Sequence, residues 1–194
     1  MLKIGFQLKQ VRERLAKGLV DKGVLRTEKR NFLLFDMATH PLADTRTKDS
    51  IISRVVTLLT STTSAVPAAA LDKEGIQCRV MRAVCLACVA YTASVLDNAF
   101  GRLGYEEREA AFGRCEDLLA VFSAWPIGGD ITPTTSRRRQ NSRIAAGSST
   151  DTGRESILGL VQEVKKEMQS AEEDVGFELI AAVLEVLSKL DSLL

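Results

Sequence analysis

The chain has a single histidine among 194 residues. With His40 alone, no Ser/His/Asp arrangement stands out, and a histidine-based metal site lacks ligands. Neither G-x-x-x-x-G-K-[ST] nor G-x-G-x-x-G occurs, so the phosphate-cradling loops of nucleotide enzymes are missing. No apolar run reaches the roughly 18 residues that cross a bilayer, and the N-terminus lacks the charged, apolar and small-residue order of a signal peptide. A chain that stays on the cytosolic side is expected. Excess charge is absent as well, with 26 basic against 25 acidic residues. That balance gives no reason to expect a nucleic-acid partner.

Four cysteines are present. Cys85 and Cys88 have a redox-like spacing, but they fall inside an apolar helical pattern rather than at a helix start, where a thiol is activated. Buried, inert thiols are the expectation. Cys78 and Cys115 form no second pair, so neither a zinc site nor any other metal or cofactor is expected. With no catalytic constellation, the chain reads as a non-enzyme.

What is present begins with a basic amphipathic segment. Leu8, Val11, Leu15 and Leu19 recur at spacings of three and four, which makes one apolar stripe of a helix. Lys9, Arg12, Arg14 and Lys17 lie off it. Lys9 and Arg12, three apart, emerge about one turn apart and form a plausible anion clamp. The alternative is a solvated face with weak Lys9–Glu13 or Glu13–Lys17 pairs. Gly23 has the character of a C-cap. Val24-Leu25 and Phe32-Leu33-Leu34-Phe35 are short apolar runs on either side of a polar stretch, residues 26–31, which predicts a hairpin turning through that stretch. Four consecutive apolar residues cannot all face one side of a strand, so some need a cover from the monomer core, a second subunit or lipid.

Further along, Asp49-Ser50 suits a helix cap before Ile51, Ile52, Val55, Val56, Leu58 and Leu59. The Ser/Thr run from residue 60 and Pro67 end that helix. Residues 76–99 predict one long helix, apolar nearly all round, as the centre of a bundle. Another is predicted over residues 105–122, anchored by Leu118, Leu119, Val121 and Phe122. Residues 126–153 are dense in Gly, Pro, Ser and Thr and predict disorder. Arg137, Arg138, Arg139 and Arg143 there make a local cationic cluster worth about 1 kcal/mol per charge near anionic lipid, or else a solvated linker. Ser142 has the arginine context of a basophilic kinase substrate. Residues 154–169 and 175–194 read as two closing helices, the last with Phe177, Leu179, Ile180, Val183, Leu184, Val186, Leu187 and Leu190 on a wide apolar face.

VRERLAKGLVDKGVLRTEKRNFLLFDMATHPL closely resembles the most recognisable segment of the Golgi phosphoprotein 3 family, and SVLDNAF at residues 94–100 resembles a second block of it. The resemblance implies a mainly α fold, a helical bundle around an apolar central helix with one protruding β-hairpin near the N-terminus. It divides the chain into residues 1–123, part of the family's helical domain, a disordered insertion at 124–153, and bundle-completing helices at 154–194. It implies a peripheral Golgi protein, on the cytosolic leaflet and in cytosol, that binds phosphatidylinositol 4-phosphate and acts in vesicle trafficking and the retention of glycosyltransferases. The positions matching the family's headgroup pocket are Lys9 and Arg12, with Arg14 and Lys17 as auxiliary basic residues. The hairpin for membrane contact and self-association matches residues 28–39, with Glu28, Lys29, Arg30, Asn31, Phe32, Leu33, Leu34 and Phe35 as its contact residues. Glycosyltransferase cytosolic tails, the vesicle coat and a homo-oligomer are the partners implied. The resemblance runs up to Met1, so the half of the family's domain that carries the rest of the lipid pocket and the coat-binding tail is expected to be missing. The alternative is a truncated homologue that binds no lipid and works as a helical oligomerisation or interaction protein.

Overall fold

The computed structural model describes residues 9–32, 35–129, 149–170 and 175–189. The fold is mainly helical, with a two-stranded antiparallel hairpin near the N-terminus, as expected. The chain divides into two compact units, Met1–Ile51 and Ile52–Leu194, with the boundary inside one helix.

In the first unit, α1 (Val11–Asp21) ends in a Schellman closure. Gly23 takes φ +72°, its N–H donates to the Val20 carbonyl at 2.9 Å, and Val24 donates to Leu19 at 3.0 Å. A residue without Cβ enters this left-handed conformation at little steric cost. The hairpin pairs β1 (Glu28–Phe32) with β2 (Phe35–Thr39) in the register Glu28↔Thr39 to Phe32↔Phe35. The polar stretch is therefore not the turn: Glu28 to Asn31 belong to the first strand, whose ladder runs on to Phe32↔Phe35, and Leu33 and Leu34 lie outside the described residues. Cross-strand pairing to Asp36–Thr39 outweighs the weak strand propensity of those polar residues. The Leu25↔Leu42 bridge and the Arg26 N–H to Pro41 carbonyl bond, 2.9 Å, close the neck.

Helix α2 (Thr45–Thr60) starts earlier than Asp49-Ser50. Asp44 is the cap instead, its Oδ1 accepting the Arg46 N–H at 2.9 Å, which satisfies a donor of the first turn. The Arg46 guanidinium beside it holds the Asp44 carboxyl below its ordinary range. In the second unit, Val55, Leu58 and Leu59 of α2 are buried.

The expected long helix over residues 76–99 is two helices, α3 (Arg79–Thr92) and α4 (Leu96–Ala99). Cys78 and Ser94 both take positive φ, 54° and 56°, and a left-handed residue cannot continue a right-handed helix. After Ser94, Val95 donates to Ala90 at 3.1 Å, closing α3 as Gly23 closes α1. The centrality of α3 holds: it packs on α5 (Tyr105–Phe122), α6 (Ser149–Ser170) and α7 (Val175–Ser188). Its Val80, Met81, Val84, Ala87 and Cys88 are buried, while Val89, and Val95 beyond its end, are exposed. Phe100 and Phe122 are fully buried, each contributing about 1.5–3 kcal/mol by burial.

The disorder expected over residues 126–153 is not found at either described end, and residues 130–148 lie outside the described residues. Ile127 is buried in the core, and residues 149–153 are already helical in α6. Arg137, Arg138, Arg139, Ser142 and Arg143 lie outside the described residues, as does Leu190.

Candidate functional site

The basic helix lies open: α1 has no buried residue, and Arg12, Arg14 and Lys17 are all exposed to solvent. Its apolar stripe is also open, with Leu15 at 63% exposure between Val11 and Leu19. Among the described residues, Lys9, Arg12, Arg14 and Lys17 have no ion-pair partner, and the Lys9–Glu13 and Glu13–Lys17 pairs of the solvated-face reading do not form. Four cations with unspent hydrogen-bond capacity therefore remain for an anion.

One expected detail changes. Lys9 is not on the helix, because Gln10 takes φ 54°, ψ 38° and α1 begins at Val11. The three-residue helical spacing therefore does not set the Lys9–Arg12 geometry. Lys9 sits in the turn ahead of the helix, and Arg12 sits in its first turn.

The hairpin carries charge at its base. Arg26 Nε donates to Glu28 Oε1 at 2.7 Å, and the Thr39 hydroxyl donates to the Glu28 carbonyl at 3.2 Å. Lys29 and Arg30 follow, opposite Ala38 and Met37, and Asn31 faces Asp36 in the register. Phe32 and Phe35 are register partners at the end of the ladder; Leu33 and Leu34 lie outside the described residues. His40 follows the hairpin, its Nδ1 3.5 Å from the Thr27 hydroxyl.

The cysteines behave as packing residues. All four are free thiols; Cys88 and Cys115 are buried, and Cys78 and Cys85 half-buried. Burial pushes the Cys85 thiol up to about 11 and Cys115 up to about 12, and raises Cys88 further. Thiols held this far from ionisation are poor nucleophiles and poor metal ligands.

Sequence reasoning missed two polar clusters in the second unit. The Glu167 carboxylate of α6 accepts the N–H groups of Val80 and Met81, at 2.8 and 3.0 Å, and caps α3 from across the bundle. Arg114 of α5 donates to the Ser61 carbonyl and to the buried Ser156 hydroxyl, each at 2.5 Å; Ser156 in turn donates to the Thr63 carbonyl at 2.9 Å. Burial pulls the Arg114 guanidinium below its usual range. No local pattern announces either cluster, since the partners are 42 to 93 residues apart.

These features define a helical protein whose N-terminal unit presents an exposed basic helix and an aromatic-ended hairpin. No described helix is long and apolar enough to cross a membrane. A family model described as Golgi phosphoprotein 3 (GPP34) matches residues 2–175, and the chain belongs to that family. It is 46% identical over its whole length to vacuolar protein sorting-associated protein 74 of Schizosaccharomyces pombe, and 42% identical to the protein of the same name from Eremothecium gossypii. It covers 52% and 53% of those two proteins, so it spans about half the length of these relatives.

Proposed function

We propose that this chain is a peripheral Golgi-membrane protein that recognises the phosphorylated headgroup of phosphatidylinositol 4-phosphate. It acts on the cytosolic leaflet in vesicle trafficking and in the retention of glycosyltransferases, whose cytosolic tails, with the vesicle coat, are its protein partners. The observation that carries the reading is the set of solvent-open cations Lys9, Arg12, Arg14 and Lys17, none with an ion-pair partner among the described residues. Lys9 and Arg12 hold the headgroup phosphates, and Arg14 and Lys17 add attraction to the anionic surface. The hairpin from Glu28, Lys29, Arg30 and Asn31 to Phe32, Leu33, Leu34 and Phe35 contacts the membrane or a second copy of the chain. Membership of a Golgi-named family supports this reading. The function is one of binding, not catalysis.

The experiment is liposome co-sedimentation with and without phosphatidylinositol 4-phosphate, at fixed total anionic charge. The wild type should pellet selectively with the lipid, and the Lys9→Ala/Arg12→Ala double variant should lose at least about tenfold in affinity, the scale of two charge-assisted phosphate contacts. Equal pelleting of both proteins on charge-matched vesicles would sink the assignment.

A second reading, a protein-association module that binds no lipid, is favoured by one observation: Val11, Leu15 and Leu19 form an uncovered apolar stripe on α1. In that case the double variant self-associates like wild type and neither protein distinguishes the lipids.

A further inference from the structure

Three arginines gather about Asp72 beside the start of α3. Arg54 of α2 pairs through Nη2 with Asp72 Oδ2 at 3.3 Å, and Arg79 Nε donates to the Asp72 backbone carbonyl at 2.8 Å. Arg82 is three residues beyond Arg79, so its side chain leaves α3 on the same side, about one turn further on. The Lys73 N–H, bonded to Oδ1 at 3.0 Å, and then the charges of Arg54 and Arg82 hold the Asp72 carboxyl below its ordinary range.

Most donors of the cluster are unused. Among the described residues, neither the terminal nitrogens of Arg79 nor any side-chain nitrogen of Arg82 has a hydrogen-bond or ion-pair partner. Arg82 is exposed and Arg79 half-buried, whereas Arg54 is largely covered, with 18% of its side chain exposed. The placement is also electrostatically unfavourable as it stands. Arg79 and Arg82 occupy the opening turn of α3, which holds no acidic residue, and the positive end of a helix dipole disfavours cations. Glu167 offsets part of this charge, with its two oxygens engaged by the Val80 and Met81 N–H groups. Lys73 and Glu74 on the same loop add one charge of each sign. Three guanidiniums thus stand against the carboxylates of Asp72 and Glu167, and an excess positive charge remains at a set of free forks.

We propose that this cluster binds a phosphomonoester dianion. Arg79 and Arg82 grip its terminal oxygens, and Arg54, anchored on Asp72, adds its charge from below. A guanidinium fork meets phosphate oxygens two at a time. A phosphomonoester offers three terminal oxygens and about −1.5 to −2 charge at neutral pH, which suits two forks better than one carboxylate does. The ester arrives either as a soluble metabolite or as a lipid headgroup. All three arginines lie in the second compact unit, and none belongs to the proposed headgroup site on α1.

The test is calorimetric titration of the full chain at neutral pH with glycerol 3-phosphate, a dianionic monoester, and dimethyl phosphate, a monoanion with two terminal oxygens. Glycerol 3-phosphate binds at least about tenfold more tightly. Arg82→Gln, at an exposed side chain that makes no bond to the described residues, lowers that affinity about tenfold, the loss of one charge-assisted contact. Lys9→Ala/Arg12→Ala leaves it unchanged, which separates failure of this proposal from failure of the lipid-site reading. Co-sedimentation of the Lys9→Ala/Arg12→Ala variant with phosphatidic acid vesicles distinguishes the two sources. Pelleting that is lost on adding Arg82→Gln assigns the site to a lipid headgroup, and calorimetric binding without such pelleting assigns it to soluble esters. Equal affinity of the wild type for the two phosphates overturns the proposal, as does unchanged affinity in Arg82→Gln. So does the absence of both glycerol 3-phosphate binding and Arg82-dependent pelleting.

Discussion

Gly159 on α6 shows how much one side-chain position can decide. A Cβ built there would run into the Ser64 carbonyl, overlapping its oxygen and lying 2.9 Å from its carbon. The obstacle is backbone, which cannot rotate away as a flexible side chain can. Gly159→Ala should therefore destabilise the chain by more than about 2 kcal/mol, the upper part of the overpacking range, measured by urea denaturation. An unchanged midpoint would show that the loop after α2 yields freely. Read in sequence, Gly159 is only a helix-weakening residue inside an apolar pattern. Its reason lies in a loop 95 positions away (159 − 64). Lys9 and Arg12, by contrast, were legible as cations from sequence, whereas the turn at Gln10 that separates them was not. A left-handed φ at a residue other than glycine leaves no compositional mark.

At the scale of elements, α3 depends on a cap that its own sequence does not supply. Cys78 makes no side-chain capping bond, and Glu167 supplies two from α6. Its negative charge also meets the positive end of the α3 dipole. Glu167→Ala should cost about 1–2 kcal/mol, and Glu167→Gln less, because one acceptor oxygen remains. Thermal unfolding checks both; an alanine variant melting with the wild type would mean that solvent satisfies those donors equally well. Helix α5 follows the apolar periodicity closely, running over residues 105–122 as the pattern indicates. Ends are less legible. The start of α2 after the Asp44 cap and the breaks at Cys78 and Ser94 depend on which donors and acceptors find partners in the folded chain. The hairpin likewise has a polar first strand because its partner strand is opposite, not because Glu28, Lys29, Arg30 and Asn31 favour extended structure.

For the whole molecule, the apolar surface left in the open sets the expected solution behaviour. Val11, Leu15 and Leu19 on α1 and Leu179, Val183 and Val186 on α7 are exposed in two stripes. With 26 basic and 25 acidic residues, net charge offers little repulsion between copies. Sedimentation velocity should show concentration-dependent association, reduced by Leu15→Glu or Leu179→Glu, since either places a charge within an associating apolar stripe. A monodisperse monomer at all concentrations would exclude it. By itself the sequence determined the class of fold, the central place of α3 and the inert thiols, because apolar periodicity states how much of each helix must leave water. It also carried the family. Only the tertiary structure decided where α3 breaks, which carboxylate caps it, which apolar stripes stay uncovered, and that Arg54 and Arg79 meet at Asp72. Each of these depends on groups distant in the chain meeting at hydrogen-bond or van der Waals range, and periodicity along one helix carries no information about what packs against it.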